Sequence, residues 1–216
     1  MTDLDTKTKR RSRGRPALRT ENETRAALIE AARTEFLAEG YTGTSIEAVA
    51  QHAGMSTRTI YKTIFNKAEL FRLVMGDAID AGIAQLNVPA DPEQPANAIV
   101  VLARAYTKLV LGAEGVLTAR AVMAEQSQFP ELRDSYLSSI DQVATAFDNR
   151  FAEFCDDMPA MYPKMDHVAA SLLRSMITGA QRSAILHPDY RATPASLEAW
   201  SDKCTTMVLN AYAIKK

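Results

Sequence analysis

The stretch GYTGTSIEAVAQHAGMSTRTIYKTIFNKAELF, from Gly40 to Phe71, decides the fold. Thr44 and Glu47 have the spacing of a capping box, which predicts a helix that begins just after Thr44. Apolar residues then recur every three or four positions until Gly54, where a glycine favours a turn. A second short helical segment follows. Two short helices joined by a glycine turn have the proportions of a helix-turn-helix.

The second short helix is predicted to expose a polar, cationic face. Ser56 is a good N-cap for it, and Ile60 and Ile64 lie four residues apart on the side that turns inward. The residues left outside are Thr57, Arg58, Tyr61 and Lys62. Arginine can bind two acceptors of a guanine edge, while hydroxyls and lysine reach phosphate oxygens. This face favours DNA binding, and an ordinary solvated face is the alternative.

Helical patterns continue on both sides of this pair. Upstream, Thr20 and Glu23 have capping-box spacing, and an apolar helical period runs to Gly40. Downstream, Asn66 caps a helix that extends towards Leu86. Beyond a proline-rich loop, the predicted helices are Ala96–Leu111, Val116–Gln126, Glu131–Asp156, Asp166–Leu186 and Pro194–Ile214. Since no alternating strand pattern stands out, we expect an all-α fold.

The composition excludes several classes of protein. The 216 residues are 47% hydrophobic, which is enough for a core without disulfides. Cys155 and Cys204 lie far apart without metal-ligand spacing, so we expect neither a disulfide framework nor a metal site, and no cofactor. No run approaches about 18 apolar residues, and the N-terminus lacks a signal-peptide core. We therefore expect a cytoplasmic protein without a membrane partner.

Positive charge is concentrated at the N-terminus. Residues 1–75 contain 13 Lys and Arg against 9 Asp and Glu, whereas residues 76–216 contain 12 against 17. Seven basic residues and no acidic one lie within Lys7–Arg19, a polar segment that we expect to be a disordered arm. Within it, Arg13-Gly14-Arg15-Pro16 resembles an AT-hook, whose arginines enter narrow minor grooves. A solvated tail without such a role is the alternative.

The Gly40–Phe71 stretch resembles the DNA-binding signature of the tetracycline-repressor (TetR) family of bacterial regulators. The shared features are the glycine-aromatic step, Thr44-Ser45, Ala53-Gly54, Tyr61 and Lys67. One departure is Thr63-Ile64-Phe65, where the family usually places His-Phe, and this puts one phosphate contact in doubt.

Carried over by position, the resemblance implies two groups of DNA contacts. Thr57 and Arg58 would face bases, with Thr59 as a further candidate. The DNA backbone would be held by Thr44, Ser56, Tyr61, Lys62 and Lys67. Each role has an alternative: Thr44, Ser56 and Lys67 could be simple helix-terminus residues, and Tyr61 could pack against the first helix.

The resemblance also implies a domain organisation. We expect a disordered basic arm at 1–20, a three-helix helix-turn-helix domain at 21–66, and a helical effector-binding and dimerisation domain at 67–216. Small and apolar stripes on the last two helices need partners, and the resemblance implies a homodimer through a four-helix bundle, with packing within one chain as the alternative. The residues of this predicted interface are Leu172, Ser175, Met176, Gly179, Ser183, Trp200, Cys204, Met207, Val208 and Ala211. A dimer would read a palindromic DNA operator.

Apolar and aromatic residues of the middle helices could line an effector cavity. These candidates are Met75, Tyr106, Leu109, Val122, Met123, Phe129, Tyr136 and Phe147, and plain core packing is the alternative for each. The run Ala124–Leu132 also resembles a C-terminal subtype found in repressors of efflux genes. We expect a small apolar or aromatic effector to release the repressor from DNA, with the helix from Lys67 to Leu86 as the lever.

An enzyme and an architectural DNA-coating protein are the two alternative classes. The candidate catalytic residues for an enzyme are His52, His167, His187, Cys155 and Asp156-Asp157, but their spacing in the sequence matches no catalytic motif. We therefore expect no enzymatic activity. An architectural protein that coats DNA without a ligand is the third class, and footprinting that shows one protected operator would distinguish a regulator from it.

Overall fold

The computed structural model describes residues 20–89, 95–156 and 165–213, and all regular structure within these ranges is helical. The helices are α1 (Glu21–Gly43), α2 (Ile46–Ala53), α3 (Thr57–Ile60), α4 (Lys67–Leu86), α5 (Pro95–Leu111), α6 (Ala113–Glu125), α7 (Pro130–Asp156), α8 (His167–Leu186) and α9 (Pro194–Tyr212). The predicted all-α class is confirmed. The arm that carries Arg13 and Arg15 lies outside the described residues. None of the helices in the described ranges is both long and apolar enough to cross a membrane.

Helix ends follow the caps predicted from sequence, with one correction. The Thr20 side chain accepts a hydrogen bond from the N–H of Glu23, and Thr193 caps α9 with Pro194 in its first turn. The prediction that Thr44 caps α2 is wrong. Ser45 caps this helix and accepts from the N–H of Ala48 at 3.1 Å, because Thr44 is occupied at the end of α1.

The first of two hydrophobic cores lies among α1, α2, α3 and the N-terminal half of α4, which together we call the head. Its buried residues include Leu28, Val49, Ile60 and Leu70. The beginning of the C-terminal domain also contributes, since Val122 of α6 and Leu132 of α7 belong to the same core. The head is therefore packed directly onto α6 and α7.

The second core lies among the C-terminal half of α4 and helices α5, α7, α8 and α9. Phe147, Phe151 and Phe154 of α7 are each at most 1% exposed and occupy its centre. Tyr106 of α5 packs against Phe147, with ring centroids 4.9 Å apart. Helix α4 contributes Leu86 to this core, and α4 and α7 therefore both contribute to the two hydrophobic interiors. The division between residues 66 and 67 remains a prediction.

Candidate functional site

Helix α3 presents the polar face predicted from sequence. Gly54 adopts a left-handed conformation (φ 64°) that turns the chain between α2 and α3, and Ser56 accepts a hydrogen bond from the N–H of Thr59 at 3.1 Å. Ile60 and Ile64 are 1% and 2% exposed, which confirms the predicted inward orientation. On the other side, Arg58, Tyr61 and Lys62 are exposed, and Thr57 and Thr59 are half-buried.

The Tyr61 ring lies at the edge of this surface. Its side chain is 50% exposed, and it does not belong to the core of the head. The Ser56 hydroxyl lies 2.8 Å from the Thr59 hydroxyl, so these two groups bind each other as well as capping the helix. Helix α3 ends at Ile60, earlier than its apolar spacing suggests, so Arg58 lies on the helix and Tyr61 and Lys62 lie on the turn that follows it. Cationic and hydroxyl groups therefore cluster on a short, capped helix and its following turn, as DNA backbone and base contacts require.

Two residues predicted to hold the DNA backbone have partners inside the protein. Thr44 is 3% exposed, and its hydroxyl donates to the carbonyl of Gly40 at 2.7 Å. The Lys67 ammonium group donates to the carbonyls of Tyr41 and Thr44 at 2.7 and 2.9 Å, and lies 4.7 Å from the centre of the Tyr41 ring. Both side chains thus stabilise the end of α1, which was the alternative role for them.

Glu125, the last residue of α6, binds the same segment from the C-terminal domain. Its Oε1 accepts from the N–H of Tyr41 at 2.8 Å, and its Oε2 accepts from the N–H and hydroxyl of Thr42 at 2.7 and 2.6 Å. Gly40 interrupts α1 here with φ 70° and ψ 178°, and a Cβ at this position would lie 2.8 Å from Oε1. Glu125 is not among the residues predicted from the sequence, and Gly40 is the one sequence signal for this contact.

Tyr41 is enclosed between the head and α7. Its hydroxyl donates to the Glu131 carboxylate at 3.3 Å, and its ring packs edge-on against Phe129 at 4.9 Å. Burial, followed by the negative charge of Glu131, raises the pKa of Tyr41 to about 12. We refer to Gly40 to Thr44 with their partners Lys67 and Glu125 as the α1 clamp, because groups from α4 and α6 hold this segment on two sides.

The residues predicted to line an effector cavity are divided between the two cores. Met75 and Val122 belong to the core of the head, with Phe129 and Tyr136 packed against it. Tyr106, Leu109 and Phe147 belong to, or pack against, the second core, while Met123 is 50% exposed. The helices direct these side chains towards two different interiors, and their role in binding an effector stays a prediction.

A small apolar cavity lies between the head and the C-terminal domain. Its volume is ≈ 50 Å³, and helices α1, α4, α6 and α7 line it. Met75 and Val122 are part of the lining, together with Phe36, Phe71 and Leu132. Arg33 lies at its border and donates to Asp77 at 2.6 Å and to Glu114 at 3.1 Å, which joins α1 to both α4 and α6.

A polar network lies at the edge of the second core. The Arg174 guanidinium donates to both carboxylate oxygens of Asp148 at 2.7 and 2.9 Å, and adjoins the phenol of Tyr106. Burial raises the pKa of Tyr106, against the opposing effect of Arg174. Burial also raises the pKa of Tyr136, whose hydroxyl lies at Gln181. These groups could provide polar contacts within an otherwise apolar interior.

Most of the predicted dimer face is exposed on α8 and α9. Leu172, Trp200 and Met207 are 48%, 37% and 54% exposed, which is unusual for large apolar side chains on adjacent helices. The small residues Ser175, Gly179, Ser183 and Ala211 are also exposed, and Met176 is half-buried. The prediction that Cys204 and Val208 belong to this face is wrong, because both are buried in the protomer's own core at 1% and 4% exposure.

The three histidines among the candidate catalytic residues lie on α2 and at the two ends of α8, and Asp157 lies outside the described residues. His52 contacts Glu35 of α1 at 3.1 Å, His167 begins α8, and His187 follows its end. Burial raises the pKa of the Cys155 thiol to about 11, which opposes formation of a reactive thiolate. Among the described residues, no three His, Cys, Asp or Glu side chains are grouped so that they could hold a metal ion.

Two family models match the chain and together cover most of it. The first, described as bacterial regulatory proteins of the tetR family, matches residues 28–74, and includes α2, α3 and the α1 clamp apart from Glu125. The second, described as the C-terminal domain of AefR-like transcriptional repressors, matches residues 97–214 and includes the Ala124–Leu132 run. A comparison with curated proteins gave no match.

Solved structures share the whole architecture. A candidate TetR-family regulator from Mesorhizobium loti MAFF303099 has a TM-score of 0.74 and 22% identity, and the match covers 91% of this chain and 100% of that one. The flavonoid-responsive regulator FrrA has a TM-score of 0.67 and 23% identity over 90% and 100% of the two chains. A TetR regulator from Agrobacterium tumefaciens has a TM-score of 0.69 and 16% identity over 89% and 96%.

The C-terminal model alone spans more than half of the chain, and the N-terminal model falls on the surface built by α2 and α3. The relatives are transcriptional regulators rather than enzymes. This chain belongs to the TetR family of DNA-binding transcriptional regulators.

Proposed function

We propose that this protein is a repressor that binds a palindromic operator as a homodimer and is released by a small apolar or aromatic effector. The observation that carries the DNA-binding surface is the orientation of α3: Ile60 and Ile64 are buried, so Arg58, Tyr61 and Lys62 are exposed together. Such a helix fits the major groove, where arginine can recognise guanine.

We assign base contacts to Arg58 and Thr57, with Thr59 as a further candidate. Ser56, Tyr61 and Lys62 would hold the DNA backbone beside them. Thr44 and Lys67 act indirectly in this proposal, because their polar groups already bind carbonyls at the end of α1. The arginines of the N-terminal arm, Arg13 and Arg15, would add minor-groove contacts whose strength falls with salt.

The homodimer would form through the exposed face of α8 and α9. Leu172, Trp200 and Met207 provide apolar area, and Gly179 lets two helices approach closely. A second copy of this chain covers such a face by two-fold symmetry, which places two α3 helices on one DNA duplex. Half-sites would then be about 34–36 Å apart, one helical turn of DNA.

The effector would act where the head meets the C-terminal domain. The cavity there measures ≈ 50 Å³, whereas ligand pockets commonly occupy about 300–1,000 Å³, so ligand entry requires the lining helices to separate. Separation of α6 from α1 would strain the hydrogen bonds between Glu125 and residues Tyr41 and Thr42. Helix α4 contributes to both cores and would transmit the same movement, so ligand binding and operator binding would be coupled.

The class of effector is supported by chemistry and by one relative. The cavity lining is mainly apolar and includes Phe36, Tyr41 and Phe71, which suit a planar aromatic molecule. One structural relative is a flavonoid-responsive regulator. Flavonoids and other planar aromatic compounds are therefore the first effectors to test.

The DNA-binding proposal is tested by selecting duplexes that the full chain retains from a random pool. We expect an inverted repeat, and footprinting on it should protect one bounded site. With Arg58→Ala, we expect the binding free energy on the selected site to weaken by about 1–3 kcal/mol and discrimination to relax at one base pair. Uniform coating of DNA, or unchanged specificity of the variant, would contradict the proposal.

The effector proposal is tested by thermal unfolding of the protein with a panel of flavonoids and other planar aromatics. A ligand that binds the folded state raises the midpoint, and the rise continues with the logarithm of the free ligand concentration above the Kd. The same compound should weaken operator binding about 5–150-fold, the range of a coupling free energy of about 1–3 kcal/mol. A compound that stabilises the protein but leaves operator affinity unchanged would contradict release by this ligand.

A further inference from the structure

Phe65 is a large apolar side chain that belongs to neither hydrophobic core. It is 86% exposed, more than any other large hydrophobic residue among those described. Its neighbour Ile64 occupies the core position at 2% exposure. Phe65 directly precedes Asn66, the N-cap of α4, where a large apolar residue commonly packs against the fourth helical residue, here Leu70. Leu70 is fully buried without it, so Phe65 makes no such staple.

The backbone at Phe65 is fixed although its side chain is exposed. Its N–H donates to the Glu69 carboxylate at 2.7 Å, and the Asn66 side chain accepts from the N–H of Glu69 at 2.9 Å. The ring therefore projects from a turn that is already ordered. Burying it against another molecule costs less conformational entropy than ordering a loose loop would.

The position of Phe65 relates it to the DNA-binding surface. It follows the exposed Tyr61 by four residues and Lys62 by three, on the turn that leads from α3 into α4. Both of those residues are assigned to the DNA backbone above. The apolar surface nearest to a phosphate is the deoxyribose ring, which every nucleotide carries.

We propose that Phe65 packs against a deoxyribose of the DNA backbone beside the major groove and supplies an apolar, sequence-independent part of the binding energy. This inference rests on the proposed function, since it requires α3 to enter DNA. The contact complements the cationic ones because it depends on area removed from water and not on charge. It also occupies the segment in which this chain departs from the family's usual His-Phe.

The test compares Phe65→Ala with the wild-type full chain on two duplexes: the one selected from a random pool and a scrambled duplex of equal length. We expect roughly tenfold weaker binding to both, at every salt concentration, from the apolar area lost. The slope of affinity against salt should stay unchanged, because no counterion release is lost. Phe65→Leu should retain most of the binding because it retains apolar area.

Two control variants separate this contact from other effects. Lys62→Ala should reduce the salt slope by about one, as expected for a lost phosphate contact. Leu137→Ala removes an exposed apolar side chain of α7, 51% exposed, and should leave DNA affinity unchanged. Thermal midpoints of the Phe65 variants should equal that of the wild type, since the side chain contributes nothing to the core.

Three results would overturn the proposal: unchanged affinity of Phe65→Ala, a loss confined to the selected duplex, or a loss accompanied by a smaller salt slope. A loss confined to the selected duplex would indicate a base contact in place of the sugar. If the wild-type protein bound no duplex at all, the proposed function would fail instead. If the wild type bound and Phe65→Ala bound equally well, only the role of Phe65 would fail.

Discussion

At the scale of single residues, the DNA-binding surface separates side chains that face outward from those that hold the head together. Arg58 and Lys62 are exposed, while the ammonium group of Lys67 binds carbonyls of Tyr41 and Thr44. A signature lysine next to a DNA-binding helix suggests a phosphate contact from sequence alone. Its position in the structure suggests an internal one, and the two roles differ in a measurable way.

We expect Lys67→Met to lower the free energy of unfolding by about 1–3 kcal/mol, because hydrogen bonds from a charged group to buried carbonyls are lost. Chemical denaturation measures this change. The salt dependence of operator binding should stay as in the wild type, whereas Lys62→Ala should reduce it. A Lys67→Met protein of normal stability with a reduced salt slope would show that Lys67 contacts phosphate after all.

At the scale of helices, contacts between residues close in sequence could be predicted, whereas contacts between distant residues could not. The caps at Thr20 and Asn66 were predicted because a cap and its partner lie three residues apart. Thr44 was misassigned as a cap because its hydroxyl binds Gly40, at the end of the preceding helix. Glu125 was missed because its partners lie 83 and 84 residues earlier in the chain.

The residues of the proposed dimer face could likewise be predicted only in part from the sequence. The apolar stripe of α9 was recognised, but a stripe broader than one interface must divide between the protomer's interior and its surface. The structure buries Cys204 and Val208 and exposes Trp200 and Met207. Which part faces inward depends on how α9 packs against α5 and α8, and the apolar period of α9 alone does not determine this packing.

The α1 clamp makes a prediction about Gly40. We expect Gly40→Ala to lower the free energy of unfolding by about 1–2 kcal/mol, because φ 70° is strained for alanine and its Cβ would approach Glu125. Gly76→Ala in α4 is the matched control: nothing lies within 4 Å of its Cβ, and alanine favours a helix, so stability should rise by about 0.5–1 kcal/mol. Thermal or urea unfolding of both variants measures the difference.

Glu125→Gln tests whether the α1 clamp couples effector binding to operator binding as well as stabilising the fold. Glutamine keeps an acceptor for only one of the N–H groups of Tyr41 and Thr42, places an NH2 donor at the other, and removes the charge that strengthens both hydrogen bonds. We expect the effector's influence on operator affinity to shrink more than the operator affinity itself. Equal coupling in the variant and the wild type, measured with the same compound, would show that the coupling does not depend on the charge of Glu125.

At the scale of the whole molecule, the proposed homodimer binds DNA through two heads held at a fixed spacing, so we expect the state of the α8 and α9 face to control operator affinity. Gly179 is exposed on α8, and a Cβ there would meet nothing within 4 Å in the protomer. A leucine at this position should therefore leave the monomer folded while preventing two copies of α8 from approaching each other. Gly76→Leu makes the same change in open space on α4 and serves as the control.

We expect Gly179→Leu to sediment as a single chain of 23.7 kDa, and the wild type and Gly76→Leu as species of twice that mass. Operator affinity of the Gly179 variant should fall sharply, because each head then binds its half-site without the advantage of a linked second head. Its thermal unfolding should become independent of protein concentration, unlike that of the wild type. If Gly179→Leu stays dimeric and binds the operator normally, the two copies associate through some surface other than the exposed face of α8 and α9.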